Sequence, residues 1–118
     1  MHELSIAVRV LEMVEQEVAA AGGGQVEEVV LRVGTLSGVS VAALAFAFEQ
    51  AREQTIAATA TLSITELPVQ VFCTACEVVA ELPRVPPLAC PTCGRPTGDL
   101  RQGQELELES IRLREVRA

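Results

Sequence analysis

Residues 4–21 of the chain place apolar side chains at intervals of three or four positions. Arg9, Glu12 and Gln16 lie on the opposite side of a helical projection. This pattern predicts an amphipathic α-helix that ends at the glycines of positions 22–24. Its predicted buried face consists of Leu4, Ala7, Leu11, Val14, Val18 and Ala21.

Two later segments alternate apolar and polar residues, as half-buried strands do. Residues 26–33 are rich in β-branched side chains, and residues 61–67 keep the alternation until a proline ends it. Between the two segments, residues 34–38 predict a turn. Ser40 then suits the N-cap of a second, strongly apolar helix that extends to about Glu53.

The C-terminal segment returns to a strand-like pattern with one irregularity. Leu106 and Leu108 share one face, whereas Ile111 and Leu113 have the opposite parity. Because side chains alternate strictly in a regular strand, we expect a β-bulge near Ser110.

The order of these elements predicts a discontinuous domain. The last strand needs partners, and the candidate partners lie in the first part of the chain. We therefore predict an α+β fold with a small mixed sheet of about three strands packed by two helices. Residues 1–67 and 103–118 form this domain, and residues 68–102 form an inserted module.

Four cysteines lie in the inserted module, as two C-x-x-C pairs separated by thirteen residues. The stretch after Pro68 also contains the other five of the six prolines and lacks apolar periodicity. We therefore expect that it cannot form a hydrophobic core of its own and that something else orders it. Two such turns present four sulfurs in the tetrahedral arrangement that zinc prefers, and a shell filled by protein is structural rather than catalytic. The module is thus predicted to resemble a zinc ribbon, with the ligands Cys73, Cys76, Cys90 and Cys93.

The residues that follow the two pairs differ. Gly94 suits the positive φ that this position often needs, whereas Glu77 takes the equivalent place after the first pair. Three other interpretations of the cysteines stay open. They are a pair of disulfides, a redox-active C-x-x-C motif, and iron in place of zinc on the same four sulfurs.

The composition excludes several classes of function. A formal net charge of −7 disfavours nucleic acid as a partner, because phosphate binding needs clustered basic residues. The chain has no lysine for a Schiff base, and its only histidine is His2. No apolar run approaches the ~20 residues that span a bilayer, and the N-terminus lacks the basic region of a secretory signal. We expect a cytoplasmic protein that is not an enzyme and has no membrane partner.

The amino terminus offers a second candidate metal site. The α-amine of Met1, the amide nitrogen of His2 and the nearer ring nitrogen of His2 can close two fused chelate rings on one ion. Nitrogen donors in a plane suit Ni(II) or Cu(II). Glu3 or a partner could supply the fourth ligand. The alternative is a solvent-exposed histidine with no role at a frayed terminus.

The opening Met1-His2-Glu3-Leu4-Ser5-Ile6-Ala7 resembles the start of the HypA/HybF family, the nickel metallochaperones of nickel–iron hydrogenase maturation. The resemblance continues through residues 31–39, residues 45–49, the cysteine pairs and residues 105–111, in the order of the family. It implies nickel binding by Met1, His2 and Glu3, and structural zinc on the four cysteines. It also implies partnership with the nickel-handling GTPase HypB and delivery towards a hydrogenase large-subunit precursor.

Two other classes of protein remain as alternatives. A non-enzymatic zinc-ribbon adaptor would dock a protein partner without nickel, and a thiol redox enzyme would cycle its cysteines to disulfides. The sequence also leaves the oligomeric state open, since an exposed strand edge or an exchanged terminal strand could produce a homodimer.

Overall fold

The computed structural model describes residues 2–114, and within them two helices and six strands. No helix in this part of the chain is long and apolar enough to cross a membrane. The strands form two three-stranded sheets, ordered β2-β1-β6 and β4-β3-β5, which confirms the predicted α+β class. The elements are α1 (His2–Ala20), β1 (Val26–Gly34), α2 (Val41–Ala51), β2 (Thr61–Leu67), β3 (Gln70–Cys73), β4 (Val78–Glu81), β5 (Leu100–Gln102) and β6 (Leu106–Leu113).

The chain divides into two compact units. The first contains α1, α2 and most of β1, β2 and β6. The second combines residues 33–38 with residues 66–106, and therefore holds β3, β4 and β5. The predicted division of the chain into one discontinuous domain (residues 1–67 and 103–118) and an inserted module (residues 68–102) stays a prediction.

The core of the first unit lies along the two helices, which pack against each other. Helix α2 buries Leu44, Ala47 and Phe48, and Ser40 caps it as predicted. The predicted buried face of α1 is confirmed for Ala7, Leu11, Val14 and Val18. The prediction is wrong for Leu4, which is 40% exposed in the first turn, and for Ala21, which is exposed beyond the end of the helix. The buried residues of α1 are Ala7, Val10, Leu11, Val14 and Val18.

The sheet of the first unit is mixed. The hydroxyl of Thr61 in β2 donates to the carbonyl of Glu27 in β1, and the hydroxyl of Ser63 donates to the carboxylate of Glu28. Residue numbers rise in the same direction along both strands, so the two strands are parallel. Helix α2 supplies the crossover that parallel strands require. Strand β6 runs antiparallel to β1, because the N–H that follows its end, that of Arg114, donates to the carbonyl that precedes β1.

Ion pairs on one face of this sheet locate the irregularity in β6. Arg32 of β1 pairs with Glu107 and Glu109, at 3.7 and 3.8 Å. Glu28, on the same face of β1, pairs with Arg112 at 3.6 Å. Regular alternation would turn Arg112 to the face opposite Glu109. The alternation therefore breaks between these two residues, where the sequence predicts a bulge.

The second unit has a small apolar cluster of its own, so the prediction that the proline-rich stretch forms no hydrophobic core is wrong. Val69, Val71 and Leu82 are its buried members, and the half-buried Leu36, Val85 and Leu100 pack against them. Strand β3 lies between β4 and β5 and is antiparallel to both. Three buried side chains make a very small core, and the four-cysteine cluster lies in the same unit.

Candidate metal sites

The structure brings the four predicted cysteines together. Cys73 is the last residue of β3, and the hairpin to β4 carries Cys76 in its turn. The four sulfur atoms all lie within 4.8 Å of one another, and the Sγ atoms of Cys73 and Cys93 are 3.6 Å apart. A tetrahedron with metal–sulfur bonds of about 2.3 Å has sulfur–sulfur edges of about 3.8 Å. The spacing therefore fits one tetrahedral metal ion of the size of zinc.

Backbone N–H groups point at the sulfur atoms in both C-x-x-C turns. The N–H of Cys76 donates to Sγ of Cys73 at 3.4 Å. In the second turn, the N–H groups of Cys93 and Thr92 donate to Sγ of Cys90 and lower the pKa of that thiol to about 6. The hydrogen bond with the Cys93 thiol, followed by burial, raises the pKa of Cys76 to about 12. Since the thiolate is the metal ligand, the N–H donors favour the binding form of Cys90.

The first cysteine of each pair is buried and the second is not. Cys73 and Cys90 are 2% and 1% exposed, Cys76 is half-buried and Cys93 is exposed. All four are free thiols, which contradicts the disulfide alternative for this structure. The backbone hydrogen bonds from Cys90 N–H to Arg95 O (2.9 Å) and from Gly94 N–H to Cys90 O (2.8 Å) close the second turn.

Further contacts join the second turn to β3. The hydroxyl of Thr97 donates to the carbonyl of Phe72, directly before Cys73, at 2.7 Å. The guanidinium of Arg101 lies 4.6 Å from the centre of the Phe72 ring, and Asp99 holds it with two hydrogen bonds of 2.9 and 3.0 Å. These contacts fix the two cysteine pairs relative to each other within the second unit.

The residue after each pair adopts the left-handed conformation that the sequence suggests. Gly94 has φ of 77° and Glu77 has φ of 56°. A side chain in this region is strained, because its Cβ approaches the neighbouring carbonyl. The first turn therefore forms with a residue that the backbone conformation disfavours.

Replacing Glu77 by glycine is expected to raise the free energy of unfolding of the metal-loaded protein by about 0.5–1 kcal/mol, because the relief of strain exceeds the entropy that glycine adds to the unfolded chain. Denaturant titration measures the change. Thr74→Gly, in the same turn but outside the left-handed region, is the matched control and should lower the unfolding free energy. If Glu77→Gly and Thr74→Gly lowered the unfolding free energy equally, Glu77 would not be strained in the native turn.

The amino-terminal candidate site is described from His2 onwards, and Met1 lies outside the described residues. His2 begins α1 with a side chain that is 66% exposed, and its Nδ1 lies 3.7 Å from Oε2 of Glu3. The N–H of Ser40 donates to that same oxygen at 3.3 Å. This hydrogen bond, followed by that of the Glu3 N–H, lowers the pKa of the Glu3 carboxyl. The sequence predicts Ser40 only as the N-cap of α2, and its contact with Glu3 at this site is not predicted.

The backbone N–H groups in the first turn of α1 make no hydrogen bonds within the helix. The first four N–H groups of any α-helix have no intrahelical acceptor, and those of His2 and Glu3 belong to this set. The amide nitrogen of His2 and its ring Nδ1 thus both lie outside the helical hydrogen-bond pattern.

Comparison with known proteins identifies the class to which this fold and cluster belong. A family model described as hydrogenase/urease nickel incorporation, metallochaperone, matches residues 1–113. The class is therefore a nickel-incorporation metallochaperone, not an enzyme family. The hydrogenase maturation factor HypA of Chloroflexus aggregans is 44% identical over 111 residues, which cover 94% of this chain and 97% of the relative. The chain belongs to the HypA family, as its resemblance to that family predicts.

Other relatives agree with this assignment. The hydrogenase maturation factor HypA of a Roseiflexus species is 45% identical over 111 residues, covering 94% of this chain and 90% of the relative. The solution structure of the Ni metallochaperone HypA from Helicobacter pylori matches with a TM-score of 0.68 at 24% identity. That match covers 94% of this chain and 96% of the other, and it supports the fold.

Proposed function

We propose that this protein binds one Ni(II) ion at its amino terminus and delivers it for hydrogenase maturation. The ligands are the α-amine of Met1, the amide nitrogen and Nδ1 of His2, and a donor from Glu3. The observation that carries the proposal is the position of His2, which is exposed at the first residue of α1 in a member of a nickel-incorporation family. Such a site can exchange its ligands stepwise with an acceptor, because one side of it faces solvent.

The second metal in this proposal is a structural zinc ion on the four cysteines. The sulfur spacing supports a tetrahedral ion, and the N–H donors to Cys73 and Cys90 support thiolate ligands. Zinc bound there would hold the two cysteine pairs together and leave no position for substrate. The protein would thus separate the metal that stabilises its fold from the metal that it transports.

The proposed partners are those of the delivery step. The curated relatives are named hydrogenase maturation factors, which supports an acceptor among the proteins of hydrogenase maturation. A HypB-type nickel GTPase and a hydrogenase large-subunit precursor are the partners that we propose.

Calorimetry with Ni(II) tests the amino-terminal site on untagged protein. We expect the wild type to bind one ion, and His2→Ala to bind at least about tenfold more weakly, which corresponds to about 1.4 kcal/mol. Addition of two residues before Met1 should have the same effect, because it converts the terminal amine into an amide. Zinc content should stay unchanged in both forms.

Arg9→Ala is the matched control, since Arg9 is an exposed residue of the same helix. It should bind nickel as the wild type does. Unchanged affinity in the His2→Ala and extended proteins would exclude the terminal chelate. Absence of saturable nickel binding by the wild type would instead favour a zinc-ribbon adaptor.

A further inference from the structure

One side chain links the N-termini of the two helices. The backbone N–H of Ser40, the N-cap residue of α2, donates to Oε2 of Glu3 in the first turn of α1. The Oγ of Ser40 meanwhile accepts from the N–H of Ala43 at 3.2 Å. The N–H of Ser40 therefore contacts α1, while its carbonyl and its side chain accept hydrogen bonds from α2. Negative charge near helix N-termini is favourable, and this stabilises the Glu3 carboxylate in its position.

The same carboxylate oxygen faces the imidazole of His2. Oε2 of Glu3 lies 3.7 Å from Nδ1, the ring nitrogen that the proposed chelate uses. The side chain of Glu3 is 22% exposed and that of His2 is 66% exposed, so the acid is held against the protein while the imidazole is accessible. The Ser40 N–H thus holds the Glu3 carboxylate beside the residue that would donate two nitrogens to nickel.

We infer that Ser40 is a positioning residue of the nickel site, an inference that rests on the proposed function. Its N–H anchors the first turn of α1, so that the amide nitrogen and Nδ1 of His2 are held in place before the ion arrives. A terminus without this anchor would have to be ordered during binding, and that loss of conformational entropy lowers affinity. Helix α2 is in this way part of the metal site although it supplies no ligand.

Proline at position 40 removes the N–H and suits the local backbone. Ser40 has φ of −78°, and proline holds φ near about −65°. Ser40→Ala is the matched control, because it loses the Oγ cap, as Ser40→Pro does, but keeps the N–H. We expect Ser40→Pro to bind Ni(II) about five- to tenfold more weakly than Ser40→Ala. Calorimetry measures the affinities, and equal values in two variants of equal helix content would overturn the inference.

A second pair of variants tests the same link with Ser40 unchanged. Glu3→Gln keeps the length of the side chain and an oxygen that can accept from the Ser40 N–H. Glu3→Asp keeps the charge but is shorter by one methylene. Because Glu3 is also a proposed nickel ligand, the two variants are compared in metal-free protein, where only the link to Ser40 differs between them.

The Ser40 amide resonance supplies a readout that does not need the metal. In metal-free protein its proton shift should be retained in Glu3→Gln and should move upfield in Glu3→Asp, because only the longer side chain keeps the hydrogen bond. An unchanged shift in Glu3→Asp would show that the link does not exist in solution.

Failure of the inference and failure of the proposed function give different results. If the wild type shows no saturable binding of Ni(II), the proposed function fails and the role of Ser40 fails with it. If the wild type binds nickel through His2, and Ser40→Pro matches Ser40→Ala, only the positioning role is overturned.

Discussion

Replacing Cys90 by alanine is expected to abolish zinc binding and to unfold residues 66–106. Cys90 is 1% exposed and its sulfur lies within 4.8 Å of the other three, so its loss removes a buried ligand from the cluster. The apparent free energy of structural zinc binding in small domains is about 10–16 kcal/mol. The apolar cluster of this unit has only three buried members and cannot replace that contribution.

Metal analysis and amide hydrogen exchange measure the two parts of this prediction. Zinc content should fall from one ion per chain to a small fraction of that, and the amides of β3 should lose protection. Thr92→Ala is the control, because Thr92 is an exposed residue of the same turn and its N–H is kept. Retention of stoichiometric zinc by Cys90→Ala would show that the cluster does not bind the ion with all four sulfurs.

The parts of the structure that the sequence predicts are those set by local pattern. The C-x-x-C spacing places two sulfurs on each turn, and the helical period of α1 identifies most of its buried face. The bulge in β6 follows in the same way from a change of parity between Leu108 and Ile111. Each of these inferences uses residues that are close in the chain, so local pattern is enough to make it.

The parts that the sequence does not predict depend on contacts between distant residues. Ser40 is 37 residues from Glu3, and its contact uses a backbone N–H that every residue except proline has. The exposure of Leu4 likewise depends on how far α2 covers the first turn of α1. A period of apolar residues gives the face of a helix, but not the length over which a neighbour covers that face.

Gly34 shows the same limit, since the sequence assigns it only to a turn. Its N–H donates to the carbonyl of Glu105 at 2.8 Å, and the N–H of Leu36 donates to that of Gly103 at 2.7 Å. A Cβ at position 34 would lie 2.2 Å from the carbonyl carbon and oxygen of Gly103. Gly103 cannot retreat freely, because its own Cα faces Val69, whose Cγ2 would be 3.1 Å from a Cβ there. The close approach of these two backbones therefore requires glycine at position 34.

Gly34→Ala is expected to lower the free energy of unfolding of the zinc-loaded protein by about 3 kcal/mol, since a contact of 2.2 Å with backbone atoms can be relieved only by moving the chain. Denaturant titration measures this effect, and the hydrogen bonds of Gly34 and Leu36 should lose protection from exchange. Gly98→Ala is the matched control, because a Cβ at position 98 meets no atom within 4 Å and the backbone there is outside the left-handed region. It should change the unfolding free energy by less than about 0.5 kcal/mol. If the two variants were equally stable, the packing of residues 34–36 against residues 103–105 would have to be looser than the structure shows.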